Sequence, residues 1–208
     1  LTPHLGASTE EAQENVAVDV AEQIRDVLLG LPARSAVNIP GLSAEIMERL
    51  KPHLQLAETV GRLVSQLSGG KVQELELRLQ GEFASHPSQP LLIASLKGLL
   101  GAVLGDSINF VNASLEAKAR GIRVLEVKDE ASRDFAGGSL QITSRGDQGS
   151  RSVTGTVFAD GDLRITSIDE FPVNVTPSSH MLFTRHRDMP GIIGQLGSML
   201  GEHNVNIA

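Results

Sequence analysis

The residue types able to carry chemistry in this sequence gather at its two ends. Near the front, His4 stands in the string Leu1-Thr2-Pro3-His4-Leu5-Gly6-Ala7-Ser8. An imidazole titrates near neutral pH, so it can hand a proton to an oxygen that is gaining charge. Pro3 fixes the backbone before His4, and Gly6 lets the chain pass close to another group. The plainer reading is a loop histidine ahead of a helix, with no chemistry at all. Near the back, Asp188-Met189-Pro190-Gly191 leads into an apolar run from Ile192. An acidic residue before a helix, Pro near its first turn and a Gly without a side chain leave backbone N–H groups facing a cavity. Those amides suit the carboxylate of an amino acid, with Asp188 on its ammonium. The plainer roles are a helix cap at Asp188 and a strand start at Asn206.

Composition narrows the partners. The 208 residues carry 18 Lys and Arg against 25 Asp and Glu, a net charge of −7. That weighs against nucleic acid, which needs clustered cations, and six Phe with no Trp or Tyr offer little base stacking. Without Cys there is no disulfide, thiolate nucleophile or thiolate zinc site. The six His are scattered, with no pair at i,i+4, so no metal is expected. No apolar run approaches the roughly 20 residues of a membrane span and no signal peptide is evident. A cytoplasmic protein away from membranes is the expectation. The chain opens on Leu1 and closes on Val205-Asn206-Ile207-Ala208, which reads as the start of a strand, so both ends are expected to lie inside a longer protein.

The elements that must position these residues follow from periodicity. Ser8 and Glu11 fit a capping box, and Ala12, Val16, Val20, Ile24 and Leu28 line one face of a helix that Gly30 and Pro32 end. A connection through Ala36–Gly41 marks a boundary. Ser43 can cap a second helical stretch that buries Ile46, Leu50, Leu54, Val60, Leu63, Val64 and Leu67, and Pro52 should split or kink it. Residues 72–80 alternate, with Leu75, Leu77 and Leu79 inward and Glu74, Glu76, Arg78 and Gln80 outward, as in a strand of a sheet covered on one side. Leu91–Leu104 is apolar nearly all round, with Gly98 and Gly101 allowing close approach, so it is expected to be a helix packed hard against that sheet.

Asn112 is read as the cap of a short helix ending at Gly121. Strand-like runs follow at 122–128, 139–145, 151–158, 163–168 and 171–175, with a tight hairpin at Asp160-Gly161. Gly137-Gly138 and the cluster Gly146–Ser150 read as turns, because no helix follows them to hold a phosphate. His53 and His86 lie beside prolines and offer no partners. Past a polar linker at 176–179, Met181–Thr184 reads as a strand. A helix follows over 192–203, with Ile192, Ile193, Leu196, Met199 and Leu200 inward, and a new strand begins at Val205. This order predicts β-α-β, the first half of a ferredoxin-like unit.

With Thr9-Glu10-Glu11-Ala12 added, the opening string resembles the catalytic-histidine loop of the D-isomer-specific 2-hydroxyacid dehydrogenases, and is most similar to the phosphoglycerate dehydrogenases. The resemblance implies that His4 is the catalytic acid and that His4, Leu5, Gly6 and Ala7 lie beside the nicotinamide of NAD. Residues 1–42 would then be the C-terminal end of the NAD-binding and substrate-binding region, the tail of a Rossmann-type domain. No G-x-G-x-x-G occurs here, so the chain alone is expected to be inactive.

Residues 43–175 resemble the intervening, allosteric-substrate-binding domain of the long phosphoglycerate dehydrogenases, through Asn109-Phe110-Val111-Asn112-Ala113 and Ala119-Arg120-Gly121-Ile122. Lys128 matches a position associated there with anions, and Arg120, Arg123 and Arg133 are near it in sequence, although such charges commonly just solvate a sheet. Bacterial serine dehydratases carry a similar domain, but the His4 string has no place in them. Arg187-Asp188-Met189-Pro190-Gly191-Ile192-Ile193-Gly194, followed by Asn204-Val205-Asn206-Ile207, resembles the start of an ACT domain over 176–208. That resemblance implies that Asp188 and Asn206 hold L-serine as effector at a junction of two subunits, flanked by His186 and by the bare helix start at Gly191.

The expected fold is therefore α+β: a dehydrogenase tail, an intervening domain with an antiparallel sheet, and half of an ACT module. The implied function is oxidation of 3-phospho-D-glycerate to 3-phosphohydroxypyruvate for serine synthesis, by a homo-oligomer, dimer or tetramer, that serine inhibits. The alternative is a stand-alone amino-acid-binding regulatory or assembly protein without catalysis.

Overall fold

A computed structural model describes residues 8–28, 44–130, 137–187 and 189–206. Two compact units divide the chain, Leu1–Pro177 and Ser178–Ala208. In the first, α1 (Glu10–Leu28) begins one residue later than a Ser8 cap implies. Its cap is Thr9, whose Oγ1 accepts the Ala12 amide at 3.2 Å. The apolar row Val16, Val20, Ile24 and Leu28 on α1 is exposed. The stop at Gly30 and Pro32, the boundary at residue 42 and the Ser43 cap lie outside the described residues.

Helix α2 (Ala44–Ser68) runs without a break through Pro52. The missing proline N–H costs about 3 kcal/mol in a helix interior. Burial of Leu50, Leu56, Ala57, Val60, Leu63 and Val64 offsets it. Ile46 stays exposed and Leu54 and Leu67 are half-buried, since the buried stripe turns toward Leu56 and Ala57. After Gly69 and Gly70 comes β1 (Val72–Gln80), whose Leu75, Leu77 and Leu79 are buried as the alternation requires. The short helix α3 (Glu82–Ser85), which carries no periodic signal, buries Phe83.

Helix α4 (Ser88–Leu104) packs chiefly along α2, not hard against the sheet as its apolar run suggested, because Gly98 lets its backbone approach that of Glu58 in α2. With its following turn, residues 88–107 form a stretch long and apolar enough to cross a membrane, contrary to the reading of the bare sequence; half of that stretch is buried as a core helix. Helix α5 (Ala113–Ala119) is entered differently from expectation. The Asn112 side chain makes no cap; its Oδ1 accepts the Asn109 amide at 2.8 Å. Asn109 Oδ1 accepts the amides of Val111 and Asn112 instead. Gly121, at φ 70°, ends the helix with its N–H on the Lys118 carbonyl while Ile122 reaches back to Ala117.

The remaining strands are β2 (Arg123–Asp129), β3 (Ser139–Gly146), β4 (Gly149–Val157), β5 (Leu163–Ile168) and β6 (Phe171–Val175). Six strands form one sheet in the order β2-β1-β3-β4-β5-β6. Strands β3 to β6 make the expected antiparallel meander, but β2 pairs parallel with β1. The chain between β1 and β2 is a helical crossover through α4 and α5, and a crossover of that kind returns a strand parallel to its origin. Pro172 sits in β6, an edge strand, where a missing donor is tolerated. The β4–β5 hairpin closes with Phe158 bonded to the Asp162 carbonyl and Gly161 at φ 86°. Helices α2 and α4 cover one face of this sheet, where Leu140, Ile142, Val153 and Ile165 complete the core.

In the second unit, α6 (Ile192–Glu202) forms as expected. The strands read at 181–184 and from Val205 do not form among the described residues. A strand needs a hydrogen-bonding neighbour, and none is supplied among the described residues of this unit. The inward residues of α6 are likewise not buried; Ile193 is 73% and Met199 60% exposed.

The contact between α2 and α4 yields a test. A Cβ on Gly98 would lie 2.0 Å from the Glu58 carbonyl oxygen, whereas one on Gly101 meets nothing within 4 Å. Gly98→Ala is expected to destabilise the chain by about 2 kcal/mol or more through overpacking. Gly101→Ala should stabilise it by about 0.5–1 kcal/mol through helix propensity. Urea unfolding of the two variants checks both signs.

Candidate functional site

The front candidates, His4, Leu5, Gly6 and Ala7, lie outside the described residues, as do Asp188 and Arg133. At the back, Gly191 adopts φ 93° and opens α6, its carbonyl accepting the Gln195 amide at 3.0 Å. A left-handed turn ahead of a helix suits glycine. His186 is exposed, its Nδ1 lying 3.1 Å from the Arg187 carbonyl oxygen, and Asn206 is exposed beyond the helix. No hydrogen bond between described residues joins His186, Gly191 and Asn206.

A different cluster forms in the first unit. Lys128 lies on the helix side of β2, because its register partner is the inward Leu79. Its Nζ donates to the His86 carbonyl at 3.1 Å. The His86 ring packs edge-on to His53 of α2 at 4.5 Å between centroids, and His53 packs against the buried Phe83 at 4.8 Å. The two histidines that seemed partnerless in sequence are thus each other's neighbours, brought across 33 positions by α3. His53 Nδ1 and His86 Nε2 are buried without a well-formed hydrogen bond. A cavity of about 350 Å³ lies beside them, lined by His53, Glu82, Thr156 and Phe158.

Burial lowers the pKa of His53 from 6.5, helped by the charge of His86 and opposed by the Arg49 backbone and Glu82. Burial also lowers His86; Glu82 opposes this, while Arg49 and Lys128 add to it.

The opposite face of the sheet carries an ionic ladder. Glu74 on β1 faces Arg123 on β2 and Arg145 on β3 in direct register. Arg123 Nε donates to it at 2.6 Å, and Arg145 bonds it and also reaches Glu76 at 2.9 Å. Arg78 completes the row on Glu76 at 2.9 Å. Expected on an open face, Glu74 is only 6% exposed because two guanidinium groups cover it. The Arg145 hydrogen bond is the main reason its carboxyl titrates below the usual range; burial opposes it, and Arg123 adds to the lowering. Of the cations expected around an anion site, Arg123 is thus committed to Glu74 and Arg120 pairs with Glu116 at 3.4 Å.

These groups separate in pH. Both imidazoles bind a proton less readily in the folded chain, so their contribution is fully present above pH about 6.5 and is lost as pH falls below it. Glu74 and Glu76, with depressed pKa values, contribute above about 4.5 and lose that contribution at lower pH. The urea midpoint should therefore be lower at about pH 5.5 than at about pH 7.5. In a His53→Gln/His86→Gln chain that difference should shrink; an unchanged difference assigns the pH dependence elsewhere.

Comparison with known proteins places this arrangement. Residues 49–169 match the family described as D-3-phosphoglycerate dehydrogenase intervening domain. Over its full length the chain is 62% identical to the D-3-phosphoglycerate dehydrogenase of Synechocystis sp., covering 38% of that protein. It is 36% identical to the enzymes of the same name from Archaeoglobus fulgidus and Bacillus subtilis, covering 39% of each. The chain thus spans about two fifths of the length of these relatives. The matched span runs from Arg49 in α2 through the crossover and meander to Asp169 after β5, and the chain belongs to the D-3-phosphoglycerate dehydrogenase intervening-domain family.

Proposed function

We propose that this chain is the C-terminal, regulatory part of an NAD-dependent oxidoreductase that converts 3-phospho-D-glycerate to 3-phosphohydroxypyruvate in L-serine synthesis. The observation that carries the reading is the 62% identity over the whole chain to a protein named D-3-phosphoglycerate dehydrogenase. The intervening domain lies between a catalytic histidine loop and an amino-acid-shaped helix start in one polypeptide, which suits end-product control. An effector can bias hinged domains only through unequal affinity for their arrangements.

In this reading His4 is the acid–base residue, exchanging a proton with the substrate hydroxyl oxygen, and Leu5, Gly6 and Ala7 shape the loop around it. NAD would accept the hydride. The described residues do not themselves form a dinucleotide cradle: β1 runs through Gly81 into the four-residue α3, which is no phosphate-binding helix. Dinucleotide binding is therefore assigned to chain outside these residues, and no step is derived through it. His186, Asp188, Gly191 and Asn206 would hold L-serine within an ACT module shared between two copies of a homo-oligomer, dimer or tetramer. Lys128 would take part in binding a phosphorylated anion. Its bond to the His86 carbonyl leaves two of three ammonium protons for other acceptors. The enzyme would work in the cytoplasm.

The test is expression of the continuous reading frame around this segment. In the resulting enzyme, His4→Ala should lower kcat by about a hundredfold or more, the scale of acid–base catalysis, while NADH still binds. L-serine should inhibit, and Asn206→Ala should weaken that inhibition at unchanged kcat. A frame limited to these residues, with no dehydrogenase activity, would favour the free-standing regulatory protein.

A further inference from the structure

The first unit holds a second cavity that neither the ionic ladder nor the histidine corner uses. About 290 Å³ in volume, it opens where the ends of α2 and α4 meet the turns before β1 and β2. Leu99, Leu100 and Leu104 of α4 line it, and Val103, 78% exposed, forms an apolar lip. The two charged residues that line it, Lys71 and Arg120, are both cations, and both are exposed. No Asp or Glu lines it, in a chain whose net charge is −7. Among the described residues Lys71 has no ion-pair partner, and Arg120 has only the exposed pair with Glu116 at 3.4 Å. An exposed pair of this kind is weak and yields readily to a better-placed anion.

An apolar floor with cations at its rim selects an amphipathic anion. The volume sits at the lower end of small-molecule sites, about 300–1,000 Å³, which is small for a nucleotide. No aromatic ring lines it for base stacking. A second copy of this chain docked symmetrically would bring the same two cations toward themselves, since a two-fold contact joins a patch to its own image. We propose that this cavity binds a free medium-chain acyl carboxylate, with its hydrocarbon on Leu99, Leu100 and Leu104 and its carboxylate at Lys71 and Arg120. The site stands apart from the dehydrogenase reading and would hold whether or not that reading does.

Calorimetric titration of the 208-residue chain with sodium hexanoate, octanoate and decanoate tests it. One equivalent should bind, with affinity rising about tenfold from hexanoate to octanoate as two methylenes are buried. Neutral 1-octanol should bind more weakly than octanoate. The Lys71→Glu/Arg120→Glu variant, altered only at exposed side chains, should keep its far-UV circular dichroism and lose octanoate affinity at least tenfold. Absence of octanoate binding, affinity independent of chain length, or equal affinity in the variant would each overturn the proposal. So would capture on phosphatidylglycerol vesicles without octanoate binding, which would mark a membrane surface. Self-association abolished by the variant, again without octanoate binding, would overturn it in favour of an interface between copies.

Discussion

The close crossing of α2 and α4 is the constraint on which the rest of the first unit depends. A Cβ on Gly61 would stand 2.2 Å from the Ser95 carbonyl oxygen, and one on Gly98 would stand 2.0 Å from that of Glu58. Backbone thus touches backbone from both sides, a separation that larger residues at these two positions would forbid. At that spacing Lys97 reaches Glu58 at 2.8 Å, and the same ammonium sits 5.0 Å from the centre of the Phe110 ring. The loop leading to α5 is tied to the helix pair in this way. The pair then covers the sheet as a single layer, which lets Leu75, Leu77, Leu79, Leu140 and Ile142 share one core.

The two faces of the sheet solve different problems. On the covered face, dispersion and hydrophobic burial act through aliphatic side chains. On the other, the parallel pairing of β2 with β1 sets Arg123 opposite Glu74, and the antiparallel pairing of β3 sets Arg145 opposite the same residue. A carboxylate flanked by two guanidinium groups is compensated as it is buried, and the ladder fixes register, because a one-residue slip would send every charge to the core face. The charges of this face are largely spent on each other. Cationic side chains with fewer commitments, Lys71 and Lys128, lie elsewhere.

The intervening-domain family match, residues 49–169, falls within the first unit. The first unit closes its own core, while the second leaves Ile193 and Met199 of α6 exposed and pairs no strand among the described residues. The ACT resemblance of that second unit rests on its sequence string, whose strands need hydrogen-bonding neighbours to form.

Local pattern alone determined much of this protein. The leucine alternation placed β1 over Val72–Gln80, the turn residues placed β5 and β6 at their observed ends, and the apolar content of α4 marked a core helix. Each of these signals lies within one element, so neighbouring residues suffice to carry it. The cap at Thr9 in place of Ser8, and the role of Asn109 in place of Asn112, were one step beyond legibility, because each helix entrance offers more than one side-chain oxygen able to accept an amide two or three residues on. What crosses elements was decided only by tertiary structure. The crossover made β2 parallel, two guanidinium groups buried Glu74, α3 brought His86 to His53, and helix packing required Gly98 but not Gly101. Residues far apart in sequence meet only when chain folding closes the loops between them, and no local period records which of them will touch.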